Sequence, residues 1–285
     1  MSKKVAIITD STAYFEAGEV EKLGIHVIPL SIQLGNERFL DNADIGTDEL
    51  FRRVEYGAPY PLSVAPDIMA FEQLYGQMHK QTDQILSIHI SGHLSETLRK
   101  SRMGAEAFLG RCNIEVIDSM TTSVGLGILV KAAAQAANEG ASLDDIVRLV
   151  RGMIPHIYLV FYVETMDYLE RNGRIGKAQA LLGSMLNIKP ILFMEDGDII
   201  PLEKVRTIDR AIEKLFEFVA EFDNLEQTAI IQPSKQPNKE ARNLQQRLFQ
   251  SFPKFKFPIV QYGSDLATRV GPDALGIVVY EGMTF

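Results

Sequence analysis

The 285-residue chain contains a single cysteine, Cys112. That excludes an internal disulfide or a cysteine-built metal cluster and fits a reducing cytoplasm. Basic residues are in the minority, 29 against 37 acidic ones, for a net charge of −8. A broad nucleic-acid-binding face is not expected from that balance. Long apolar runs are missing too. Ile154–Val163 carries Pro155 and His156 and is far too short to span a bilayer, and the run Val5–Ile8 is too brief for a secretory leader. A soluble cytoplasmic protein is the expectation. There is no Gly-x-Gly-x-x-Gly after the first strand, no Gly-Lys-Ser/Thr loop and no Gly-x-Ser-x-Gly elbow. The usual devices for binding dinucleotide or ATP, and for serine hydrolysis, are therefore not in evidence. His89 and His93 straddle a strand end and a turn, so they share no helical face and a metal site is not expected there.

What is present reads as two domains, 1–153 and 154–285, with no internal repeat and no long linker. In the first, Lys4–Thr9 is a buried strand ending in Asp10-Ser11-Thr12, at the sheet edge where open α/β folds bind ligands. A helix is expected around Tyr14–Leu23. Ile25–Leu34 and Glu37–Leu40 form a hairpin-like pair across Gly35-Asn36, and Thr47 caps a helix to about Glu55. Three prolines make Gly57–Asp67 an extended loop that holds Ser63 ahead of a helix. Ile85–Ile90 and Ile114–Ile117 are strands, followed by helices near Thr122–Asn138 and Leu143–Met153, the latter opened by Ser142 and Asp145 as a capping box. This alternation indicates an α/β domain with a mostly parallel sheet. The second domain reads as α+β with a mixed, largely antiparallel sheet. Ile157–Val163 is a strand, Met166–Arg174 a polar turn and Ala178–Leu186 an apolar helix. Pro190–Met194 and Ile199–Val205 form a hairpin across Asp196-Gly197, and Thr207 opens an amphipathic helix. Thr228–Gln232, Lys256–Tyr262 and Gly276–Tyr280 are further strands, and Asn238–Gln250 is a helix.

The stretch Ile85–Thr97 is the leading candidate for a functional edge. A strand ends in Ser91-Gly92-His93-Leu94 and a helix opens near Ser95. Such a helix start offers unpaired amides to a carboxylate or phosphate. Taken alone, an ordinary capped crossover is the simpler reading. A triad of Ser95, His93 and Asp118 can be drawn, without an elbow to support it. Arg174, Arg206 and Arg269 sit near glycine turns or a hairpin; each alone reads as a solvated charge, and together they hint at a local positive site for carboxylate or phosphate.

Several stretches, in order, resemble the DegV family of bacterial fatty-acid-binding proteins. They are Ile8-Thr-Asp-Ser-Thr12, Ser63-Val-Ala-Pro66, Ile90-Ser-Gly-His-Leu-Ser95-Glu-Thr97, Val116-Ile-Asp-Ser119, Tyr168-Leu-Glu-Arg-Asn-Gly-Arg174, Leu186-Asn-Ile-Lys-Pro-Ile-Leu192, Lys204-Val-Arg-Thr207 and Val270-Gly-Pro-Asp-Ala-Leu-Gly276. The resemblance implies the two-domain DegV (EDD) fold with a long-chain fatty acid in an apolar tunnel, and neither cofactor, metal nor catalytic residue. Ser63 and Ser95, with Thr97 beside them, would hold the carboxylate; Arg174 would support them, and Arg206 would meet a separate fatty acid kinase. Arg269 stands where the family has histidine, and could take over the head-group contact. Glu96 and Asp273 stand where glycine is common. A carrier of this kind is expected to be a monomer whose only membrane contact is transient. A lipid store or sensor without a kinase, or a hydrolase or transferase using Ser95, are the alternatives.

Overall fold

The computed structural model describes residues 4–173 and 188–282. β1 (Ala6–Asp10) is buried along almost its whole length, as a central parallel strand should be. α1 (Glu19–Leu23) is shorter than the sequence suggests. The Tyr14 amide bonds Ser123 O at 3.0 Å instead of starting a helix. β2 (Ile25–Ile28) and β3 (Ser31–Leu34) are two strands rather than one, because Pro29 between them has no amide with which to continue the ladder. β2 pairs with β1, whereas β3 turns away to pair with β4 (Glu37–Leu40) across Gly35-Asn36. α2 (Thr47–Glu55) is not capped by Thr47, whose hydroxyl donates instead to Tyr262 O at 2.7 Å. Within the proline-rich stretch lies a short strand, β5 (Leu62–Val64), which joins β3 with Ile32 opposite Ser63.

The first half continues with α3 (Ile68–His79), β6 (Gln84–His89), α4 (Thr97–Glu106), β7 (Asn113–Asp118), α5 (Ser123–Asn138) and α6 (Leu143–Met153). Ser142 accepts the Asp145 amide at 3.2 Å, as a capping box requires. β2-β1-β6-β7 is an all-parallel sheet, with α3 and α4 on one face and α5 and α6 on the other.

The second half runs β8 (Ile157–Tyr162), α7 (Asp167–Arg171), β9 (Lys189–Glu195), β10 (Asp198–Val205), α8 (Ile208–Ala220), β11 (Leu225–Gln232), α9 (Lys239–Ser251), β12 (Ile259–Gln261), α10 (Ser264–Val270) and β13 (Leu275–Glu281). Here α7 replaces the expected polar turn, because Tyr168 and Leu169 are buried. The six-stranded sheet has order β10-β9-β8-β13-β11-β12, antiparallel except for the β11–β12 pair. The β9–β10 hairpin turns through Asp196 at φ 50° and Gly197 at φ 81°, the pair of positive angles that a tight two-residue hairpin needs. One apolar core runs from Ile7, Leu86 and Ile88 through α5 to Phe161, Leu192 and Val278. A second lies under α8 and α9, around Val160, Ile230 and Ile277. No helix among the described residues is long and apolar enough to cross a membrane.

Candidate functional site

The turn after β6 is fixed from three directions. The Ser91 amide bonds Thr121 O at 3.0 Å. The Ser91 hydroxyl donates to Gly197 O at 2.6 Å, tying the turn to the tip of the β9–β10 hairpin. Asp118 accepts the Gly92 and Met120 amides at 3.2 and 2.9 Å. Beyond it, the Ser95 hydroxyl accepts the Thr97 amide at 3.3 Å and shares a hydrogen with the Thr97 hydroxyl at 2.8 Å. Ser95 therefore covers one of the open amides of α4, as its position suggests. Asp118 spends its oxygens on backbone amides and Ser95 pairs with Thr97, so these hydrogen bonds assemble no triad from Ser95, His93 and Asp118.

Ser63 arrives from β5 and donates to Asp265 Oδ1 on α10. Asp265 also receives Arg269, with Nε at 3.1 Å and one terminal nitrogen at 3.0 Å, while the other terminal nitrogen reaches Leu94 O at 2.7 Å. The two side chains are only 2% and 1% exposed. Arg269 is thus neither a solvated charge nor in a turn: it is a helical, buried, bidentate partner of a carboxylate. Asn172 joins the cluster, donating to Thr268 O at 2.5 Å and to Tyr168 O at 3.0 Å and accepting the Ser63 amide at 3.4 Å.

Ser63, Ser95, Glu96, Lys100, Asn172 and Arg269 line a cleft of about 220 Å³. That volume seats a polar head and little more, since pockets enclosing drug-sized ligands run to roughly 300–1,000 Å³. Thr97 lies behind Ser95 and is fully buried. Arg206 is exposed just past β10 and is not part of the cleft wall. Arg174 and the expected helix Ala178–Leu186 lie outside the described residues. Sequence reasoning missed Asp265, Lys100 and Asn172 as site residues. Lys100 had a readable signal, falling one helical turn after Glu96 and Thr97 on the same face. Asp265 had only its i, i+4 spacing to Arg269.

A family model for uncharacterised proteins of the DegV family matches residues 4–282. The chain belongs to the DegV family. A DegV domain-containing protein of Streptomyces coelicolor is 34% identical over 281 residues, covering 98% of this chain and 99% of that one. A DegV family protein from Thermus thermophilus, described by its fatty acid binding, superposes with TM-score 0.89 at 29% identity, covering 98% of this chain and all of the other. A fatty acid binding DegV family protein from Streptococcus agalactiae gives TM-score 0.91 at 25% identity, with coverage of 99% and 100%. The DegV resemblance and the α/β architecture read from the sequence both hold.

Two other polar features of this DegV chain lie apart from the cleft. Asp10, His89 and Ser87 form a hydrogen-bonded chain, with His89 Nδ1 2.9 Å from Asp10 and Nε2 2.7 Å from Ser87. It continues to the Tyr75 hydroxyl and Ser101. All five side chains are fully buried, so this serine–histidine–aspartate order ties β1, β6, α3 and α4 together out of reach of substrate. An open cleft of about 640 Å³ lies beyond the C-terminal end of β1, lined in part by Ser11, Asp41, Asn42 and Tyr262. Burial, and then the neighbouring Asp265, push the Asp41 carboxyl up to about 8. Asp41 takes the Ser11 hydroxyl at 2.6 Å and the Asp265 amide at 3.2 Å, linking the two clefts through one buried carboxyl.

Proposed function

We propose that this chain binds a long-chain fatty acid, with the carboxylate in the cleft at Ser95 and the alkyl chain buried away from water. The observation that carries the reading is that Ser63, Ser95 and Arg269, from three distant segments, meet at one small polar cleft. They do so in a fold whose neighbours from Thermus thermophilus and Streptococcus agalactiae are fatty-acid-binding proteins. Each methylene leaving water contributes ~0.8 kcal/mol, so about 15 of them supply an upper bound on the order of 12 kcal/mol before ordering costs. Polar donors are then needed only at the head, where partial burial strengthens them.

In this reading the protein breaks no bond. It holds the tail, and offers the head to a separate kinase that forms the acyl phosphate, with exposed Arg206 on the docking face and Arg174 supporting the head group. The division into 1–153 and 154–285 belongs to the same reading, supported by the parallel sheet lying within the first range and the six-stranded sheet within the second. The chain is a cytoplasmic monomer in this scheme.

Mass spectrometry of an organic extract of the purified protein should release a long-chain fatty acid, and a titration should show one site. The Ser63→Ala/Ser95→Ala double variant should bind it at least about tenfold more weakly, losing the Ser95 hydrogen bond to a charged group and, at Ser63, the hydroxyl that fixes Asp265 behind the cleft. Unchanged affinity would place the head group elsewhere. Acyl phosphate formed from ATP and fatty acid without an added kinase would overturn the carrier role.

A further inference from the structure

Among the described residues, the charge around the head-group cleft can be apportioned group by group. Arg269 is cancelled by Asp265 through two hydrogen bonds, with both side chains buried. Ser63 has already given its only hydrogen to Asp265. Ser95 and Thr97 together own two hydroxyl hydrogens, one of which is used between them. Glu96, on the wall, is held by Arg99 at 2.6 Å.

Lys100 is different. Its Nζ carries three hydrogens, and its neighbours are Ala65 O at 3.3 Å and, at 3.7 Å, a carboxylate oxygen of Asp67, a side chain 76% exposed to solvent. An ion pair that long and that exposed holds little charge. The Lys100 side chain is itself only 21% exposed, on the cleft wall.

We infer that, of the described cations of this cleft, Lys100 and not Arg269 supplies positive charge to an anionic head group, and so selects an ionised acid over a neutral lipid of the same length. The inference rests on the fatty-acid reading and names the group that discriminates its ligand. The Asp265–Arg269 pair then serves as a neutral floor, with Ser95 giving one directed hydrogen bond and Lys100 the charge.

The test is a displacement titration at pH 7.5 with a long-chain fatty acid and the fatty alcohol of equal chain length. Wild type, Lys100→Met and Lys100→Arg are compared. Lys100→Met should weaken the acid by about 10- to 100-fold, the worth of a charge-assisted hydrogen bond, and leave the alcohol unchanged. Lys100→Arg should keep most of the preference for the acid. Lys100→Met binding the acid as wild type does, or losing acid and alcohol equally, would overturn the assignment. Wild-type protein that binds neither ligand would overturn the fatty-acid reading and this inference with it.

Discussion

Asp265 decides what the cleft can be. It receives the half-buried Ser63 together with Nε and one terminal nitrogen of Arg269, and the Asp265–Arg269 pair itself is out of solvent. Removing one member of a buried ion pair strands the other, which costs far more than the pair's net worth. Asp265→Asn should therefore lower unfolding stability by about 3–5 kcal/mol in urea titrations. Adding Arg269→Met to it should recover most of that loss, because an apolar side chain of similar reach needs no counter-ion. Recovery would establish that the pair is held together by mutual need rather than by large net stabilisation. Failure of the double variant to recover would mean that the Arg269 bond to Leu94 O, at 2.7 Å, is the more important contact.

At the scale of elements, α10, α7 and the short strand β5 are pieces that local pattern did not disclose. Seven residues cannot make a stable helix alone. α10 forms because its first amides are met from far away in sequence. Asn42 accepts the Ser264 amide at 3.3 Å and Asp41 the Asp265 amide at 3.2 Å. No local cap marks that start, so a reading of propensity and spacing passes over it, and with it the burial of Arg269. The long parallel strands, α5, α6 and the β9–β10 hairpin were legible because period, capping box and Asp-Gly turn are local signals. Ser95 was legible for the same reason, as a hydroxyl at a strand–helix junction. Ser63 was legible only through resemblance, since its partner is 202 residues away. Asn172 fastens these pieces, joining α7 to α10 and to the strand carrying Ser63. Asn172→Ala should cost about 1–3 kcal/mol through the unsatisfied carbonyls it leaves. It should also weaken fatty-acid binding without touching Lys100, which paired unfolding and titration measurements would register. The hairpin tip tests the other contact across the molecule. Gly197 has φ 81°, and a Cβ there would sit 2.5 Å from the Ser91 hydroxyl. Gly197→Ala should lower the thermal midpoint, the backbone strain alone being worth about 1 kcal/mol.

Across the whole molecule, the end of the parallel sheet and the helix behind the head-group cleft meet at Asp41. Its carboxyl is 2% exposed, takes the hydroxyl of Ser11 from beyond β1, and takes the first turn of α10. Burial is the main reason that its folded pKa rises from the ordinary 3.8 to about 8, and the Asp265 charge adds to it. For an acid raised in this way the folded state holds the proton longer than the unfolded chain does. Its contribution to stability is therefore complete below pH 4 and declines as pH rises through about 8. The slope is at most ~1.4 kcal/mol per pH unit for one such group. Asp41→Asn mimics the protonated form and cannot ionise. Relative to wild type, the variant should gain stability steadily between pH 5 and pH 8, while the difference at pH 4 stays small or favours wild type. Urea midpoints of the two chains measured in parallel at pH 5, 6.5 and 8 give the comparison, and a difference constant across that range would show that Asp41 titrates normally. Because Asp41 bonds the residue that also holds Ser63 and Arg269, wild-type affinity for a fatty acid, which follows the folded carboxyl alone, should stay level to about pH 7 and fall as that carboxyl ionises around pH 8. In the asparagine variant affinity should stay flat, and a parallel fall in both chains would place the pH dependence in the ligand or elsewhere in the cleft.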